Sequence, residues 1–240
     1  MDNVNNRIFD ETQSQDYNSQ VKDFKILFEQ EIIAKTALFV KKKKYTYWCV
    51  NKDGTPVDKL EVSGLEIVRS DSSEGVRIRL KDVMTMIMKK YPEDDIIERI
   101  NKYKKELMKS NPEDIAANIG VNNLTKYIIN DKPIKGTPWH VKGAANYRML
   151  LKQYDVVDKY EDIFEGVKAK VIYLKKNRFN MDVVTFHKWA KEFDNDIEVD
   201  KEKMIEKFFL KKIGFLLEPM GKMHLLDSKN TEKLMNLFFE

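Results

Sequence analysis

The stretch FVKKKKYTYWCV, residues 39–50, sets the tightest constraint on how this chain can fold. Its flanks are the β-branched and aromatic residues of a half-buried strand, yet positions 41–44 are all lysine. Side chains alternate along a strand, so two of four adjacent ammonium groups would face the sheet interior. Alternation would put Lys41, Lys43, Tyr45 and Tyr47 on one face, and Lys42, Lys44 and Trp48 on the other. Two readings stay open. One is a solvated edge strand whose lysines guard against aggregation. The other is a row of cations followed by a phenol that faces a polyanion, with ammonium groups on phosphates or minor-groove acceptors and the Tyr ring on sugar.

Charge distribution bears on that choice more than net charge, which is only +4 in 240 residues. No acid occurs between Asp131 and Asp155, a segment carrying Lys132, Lys135, Lys142, Arg148 and Lys152. Acids gather in PEDDIIERI and EFDNDIEVDKE instead, so a polyanion partner on one side of the molecule is expected. Cys49 is the single cysteine, which excludes an intrachain disulfide and a cysteine metal cluster. The first thirty residues lack a signal-peptide core, and no apolar run nears the roughly 20 residues of a membrane span. A cytoplasmic setting is expected.

The hydrophobic period divides the chain. Residues 1–23 read as a short helix and loop, and residues 24–50 as two β runs, the second covering 36–50. A turn built on Asp53-Gly54 follows, and then a third strand region broken at Gly64. From residue 71 the period becomes helical. Val76, Leu80, Val83, Met84 and Ile87 share one face, with Asp71 and Glu74 as a cap pair. Ile96, Ile100, Tyr103 and Leu107 align behind Pro92, and a third helix follows Pro138. Residues 168–189 predict a hairpin, and 200–221 a late amphipathic helix ended by Pro219 and Gly221. The expected fold class is α+β, a small antiparallel sheet followed by a mostly helical region with one hairpin.

Two further motifs carry possible chemistry. In TPWHVKGAANYRML, His140, Lys142 and Arg148 surround Gly143, where backbone could approach a phosphate near a helix start. The alternative is a helix start with His140 packed on Trp139. At the C-terminus, Leu234, Leu237 and Phe238 fall on one side of a helical turn, suited either to a groove on a partner or to folding back. Phosphoryl-transfer enzymes that use two metal ions need paired carboxylates, and no convincing pair stands out. Nor is there a phosphate-binding glycine loop, a zinc spacing or a nucleophile elbow. Read alone, the residues describe a binder without a reaction centre.

In order along the chain, these motifs resemble the carboxy-terminal third of family B DNA polymerases, nearest to the replicative enzymes of tailed phages. Lys42, Lys43, Lys44 and Tyr45 are similar to the family's Lys-Lys-Arg-Tyr segment, with lysine in place of the usual arginine. GLEIVRSDSSEGVR resembles the passage from palm to thumb, IGVNNLTKY a thumb loop, TPWHVKGAANYRML a thumb helix and KVIYLKKNRFNMDVVTF the thumb's Tyr-Leu hairpin. The resemblance implies the end of the palm at 1–68, the thumb at 69–227 and a sliding-clamp-binding peptide at 228–240. It implies that Lys43 and Tyr45 grip the minor groove near the primer terminus. Lys42 and Lys44 would meet phosphate or neighbouring acids, and His140, Lys142 and Arg148 would hold duplex phosphates. The chain starts after the place of the family's catalytic motifs and exonuclease. The expectation is therefore either one half of a split DNA-directed DNA polymerase, inactive alone and completed by another chain, or a fragment of one, working in the host cytoplasm if encoded by a phage. No cofactor is expected on this chain. Mg²⁺ would be held by a separate chain with the exonuclease, fingers and catalytic palm. A non-enzymatic accessory protein that binds DNA or clamp is the alternative.

Overall fold

A computed structural model describes residues 29–65, 71–130 and 132–226. The fold is α+β, with three small sheets and several helices. The residue 1–23 segment and the apolar ending at Leu234, Leu237 and Phe238 lie outside the described residues. The described residues divide into two compact units, one of 29–38 with 46–61, the other of 39–45 with 62–65, 71–130 and 132–226.

The strands of the opening sheet are β1 (Ile32–Lys41), β2 (Lys44–Lys52) and β3 (Thr55–Ser63), in the order β1-β2-β3. Asp53 and Gly54 connect β2 to β3 with φ of 50° and 78°, the paired positive dihedrals that a two-residue hairpin turn requires. Within the first unit, Thr46 Oγ1 donates to the Glu61 carbonyl at 2.9 Å and Trp48 Nε1 to Asp58 Oδ1 at 2.6 Å.

The second unit joins a helical layer to a sheet. Helix α1 (Glu74–Met88) begins at Ser73, whose Oγ accepts from Val76 N at 3.2 Å. The expected Asp71 cap is therefore replaced. Asp71 instead pairs with Lys212 Nζ at 2.8 Å, because serine one position before the helix already satisfies the first-turn amide. Helix α2 (Glu93–Lys109) lies against α1, and its Arg99 and Tyr103 hydroxyl both reach Asp82 at 2.7 Å. The short α3 (Pro112–Ile115) leads into β4 (Ala117–Gly120). Next come α4 (Leu124–Tyr127) and the two-residue strands β5 (Ile128–Ile129) and β6 (Lys132–Pro133). Helix α5 (Trp139–Gln153) follows Pro138 as expected.

Strands β7 (Lys168–Tyr173) and β8 (Val183–Phe186) form the expected hairpin, and β4 adds an antiparallel third strand in the order β4-β7-β8. The late helix is one continuous helical run made of α6 (Lys201–Ile205), a π-helical turn (Glu206–Leu210) and α7 (Lys211–Leu217). It ends at Gly221, whose φ is 65°. Leu80, Val83 and Met84 of α1, Ile100 and Leu107 of α2, and Phe209, Ile213 and Leu216 of the last run are all buried. No helix among the described residues is long and apolar enough to cross a membrane.

Candidate nucleic-acid interface

The lysine run does not form one continuous strand. Lys42 and Lys43 make the turn between β1 and β2, and Lys43 takes a left-handed backbone with φ of 63°. Continuous alternation from Lys41 to Tyr47 is thereby corrected, and Lys43 does not share a strand face with Tyr45. The physical reason is desolvation: a turn lets the middle pair stay in water, whereas a strand would press two ammonium groups inward. Lys41, Lys42 and Lys43 are exposed, while Lys44 and Tyr45 are half-buried.

Two contacts from later in the chain hold this turn. Gly64, with φ of 63°, lies so close to the Lys43 carbonyl that a side chain there would collide with it, the Lys43 carbonyl carbon being 3.1 Å from an added Cβ. Phe215 of α7 sits beneath the residues flanking the turn, with Lys44 Nζ 5.3 Å and Lys41 Nζ 5.9 Å from its ring centroid. The Phe39 and Tyr45 rings pair at 5.9 Å, and Phe39 is 73% exposed. Lys42 and Lys43 therefore project from an anchored tip.

Helix α5 carries the other sequence-chosen residues, and its geometry differs from expectation. Gly143 is buried against β8: an added Cβ would lie 2.8 Å from Thr185 N and 3.0 Å from the Val184 carbonyl carbon, and closer still to Thr185 Oγ1. Its missing side chain admits the strand, which corrects its reading as a phosphate approach. Thr185 Oγ1 donates to the His140 carbonyl at 2.6 Å, and Asn146 Nδ2 donates to the Val183 carbonyl at 2.7 Å. Both bonds pin α5 to β8 across the same surface. His140 is half-buried with its Nδ1 unpartnered, and burial pushes its pKa down, which favours a neutral ring over a phosphate-binding cation.

Lys142 Nζ pairs with Asp182 at 2.7 Å. Arg148 Nε reaches both oxygens of Asp162 at 2.8 and 2.9 Å, and its Nη2 donates to the Ile163 carbonyl at 2.6 Å. Two cations of the acid-free stretch, Lys142 and Arg148, are thus neutralised by acids from the segments that follow it. Arg148 also lines a cavity of about 600 Å³ with Leu124, Ile128, Phe164 and Glu165. Glu165 caps α4, accepting from the amides of Asn123 and Leu124.

A basic and aromatic cluster on the same unit was not among the sequence candidates. Trp139 stacks on Tyr173 at 4.8 Å and 14°, and Phe208 lies 6.0 Å from Trp139. Lys203 and Lys207 place their ammonium groups 4.2 and 5.1 Å from the Tyr173 centroid. Burial pushes the Tyr173 hydroxyl's pKa up while Lys203 pulls it down. The two lysines stand four apart in sequence, a spacing visible beforehand, but the ring they share arrives from β7.

Among the described residues no group of three or more His, Cys, Asp or Glu side chains is placed to hold a metal ion. Residues 8–207 match the profile of DNA polymerase family B. The chain is also 35% identical over 114 residues to the DNA polymerase alpha catalytic subunit of Xenopus laevis, a match covering 45% of this chain and 7% of that protein. The chain belongs to DNA polymerase family B.

Proposed function

We propose that this chain is the palm end and thumb of a DNA-directed DNA polymerase, where it grips the primer–template duplex. Lys42 and Lys43, with Tyr45 behind them, would meet the minor groove and its phosphates, where acceptors recur in every base pair and sequence is not read. The observation that carries the reading is the exposed Lys42–Lys43 turn, fixed by Gly64 and Phe215, in a chain of this polymerase family. Lys44 supports the tip from the Phe215 side. His140, Lys142 and Arg148 would act chiefly in holding α5 and its neighbours, with Lys142 the most accessible to phosphate of the three.

Nucleotidyl transfer in this reading belongs to a separate chain carrying the exonuclease, fingers and catalytic palm, whose carboxylates hold Mg²⁺. Leu234, Leu237 and Phe238 would tether the assembly to a sliding clamp. The test is equilibrium binding of a fluorescent primer–template by the purified chain across a salt series. Tight binding with a steep negative slope of log K against log salt supports the reading, and Lys42→Ala/Lys43→Ala should flatten the slope by about 1 to 2. Unchanged binding in that variant would refute it. Nucleotide incorporation should require the partner chain, and robust incorporation by this chain alone would remove the division of labour.

A further inference from the structure

The cluster around Tyr173 has the parts of an anion site. Lys203 lies on α6 and Lys207 on the π-helical turn that follows it, so both lysines rise on the same side of the run. Their ammonium groups converge on one ring, and Lys207 Nζ stands 3.5 Å from the Tyr173 hydroxyl. The ring cannot swing away, because Trp139 stacks on it and Phe208 stacks on Trp139. Neither lysine forms an ion pair with a carboxylate among the described residues, whereas nearby Lys142 is neutralised by Asp182, the neighbour of the β8 residue that pairs with Tyr173. Two ammonium groups restrained over an aromatic face have already given up much of the rotamer freedom that binding would otherwise cost. Lysine donors and a phenol hydroxyl are among the groups that contact backbone phosphates.

We propose that Lys203, Lys207 and the Tyr173 hydroxyl bind a phosphate of the nucleic-acid backbone. The site rests on the proposed grip on primer–template and adds a second contact to the Lys42–Lys43 turn. Burial keeps the phenol protonated at neutral pH, so it donates to a phosphate oxygen. A free phosphate could satisfy the same three donors, and the experiment separates the two sources.

The test uses the full chain in two variants that keep the packing. Lys203→Met/Lys207→Met retains the stems over the ring, and Tyr173→Phe retains the ring and removes the hydroxyl. Duplex affinity is measured across a salt series beside Lys42→Ala/Lys43→Ala, with thermal melting as the control for folding. The lysine variant should lower the salt slope by about 1 to 2 and weaken binding roughly tenfold at low salt. Tyr173→Phe should weaken binding a few-fold with the slope unchanged. A normal slope in Lys203→Met/Lys207→Met beside a reduced slope in Lys42→Ala/Lys43→Ala overturns this site and leaves the duplex reading standing. Normal slopes in both overturn the duplex reading itself. Inorganic phosphate that raises the melting temperature of the wild type alone, with normal duplex slopes in the lysine variant, overturns the nucleic-acid assignment in favour of a free phosphate.

Discussion

Replacing Gly143 by alanine would put a methyl group 2.8 Å from Thr185 N and 3.0 Å from the Val184 carbonyl carbon. Both neighbours are backbone atoms of the paired strand β8, so neither can rotate away as a side chain would. Ordinary carbon contacts begin near about 3.5 Å. Helix α5 would therefore retreat by roughly 0.5 to 1 Å. Overpacking of this kind costs about 1–3 kcal/mol. The same retreat stretches the Thr185–His140 bond of 2.6 Å and the Asn146–Val183 bond of 2.7 Å, each contributing about 1 kcal/mol. Alanine returns about 1 kcal/mol of helix propensity. The net expectation is a loss of about 2 kcal/mol, or a melting temperature lower by about 4–8 °C in a chain of this size. Differential scanning calorimetry on the full chain reads the shift, and duplex binding is measured in parallel. A melting temperature that rises by a few degrees, with duplex affinity falling, would show that Gly143 opens backbone to phosphate and that the packing argument is wrong.

Phe215→Leu keeps an apolar side chain under the lysine tip but removes the π face, worth about 0.5–1 kcal/mol per exposed cation. Duplex affinity should fall about 2–5-fold and return in Phe215→Trp, whereas wild-type binding by the leucine variant would dismiss the aromatic anchor. Asp71→Ala removes a carboxylate partner of Lys212, which is only 7% exposed and also donates to Ser72 Oγ at 2.7 Å. Chemical denaturation should show a loss of stability, partly recovered by adding Lys212→Met, and an unchanged midpoint in Asp71→Ala would contradict a stabilising role for the pair. The Glu113 carboxyl accepts from Lys170 Nζ at 2.8 Å and from Trp189 N at 3.0 Å, and the Lys170 bond chiefly holds its pKa below the usual carboxylate value. A lowered folded pKa stabilises fully above the unfolded value of about 4.3 and is lost as pH falls through the folded one. Melting temperature against pH should thus fall less steeply below about pH 4 in Glu113→Gln, and superimposable acid limbs would refute the coupling.

The sequence made some elements plain because their signals are local. Pro92 and Pro138 mark the starts of α2 and α5, and Asp53-Gly54 marks a hairpin turn, since each acts through its own backbone dihedrals. The lysine run misled because the residues on both sides of it, 36–40 and 45–50, have strand propensity. Only the desolvation cost of an inward ammonium selects the turn at Lys42–Lys43. Strand β4 was hidden by its four residues, which form a strand only when β7 offers an edge. The site residues show the same division. Lys42 and Lys43 were visible as a charge run, but the partners of Lys142 and Arg148 lie 40 and 14 residues further along the chain. No local pattern links them. Phe215 read as one more apolar helix residue, and Tyr173 as one more strand residue, until the fold set them under lysines.

Lysine acylation read by mass spectrometry, on the full chain with and without primer–template duplex, tests the proposed grip most directly. Exposed Lys42 and Lys43 should label readily in the free protein and become protected by duplex at low salt, with protection lost as salt is raised. Equal labelling of both lysines at saturating duplex would contradict it.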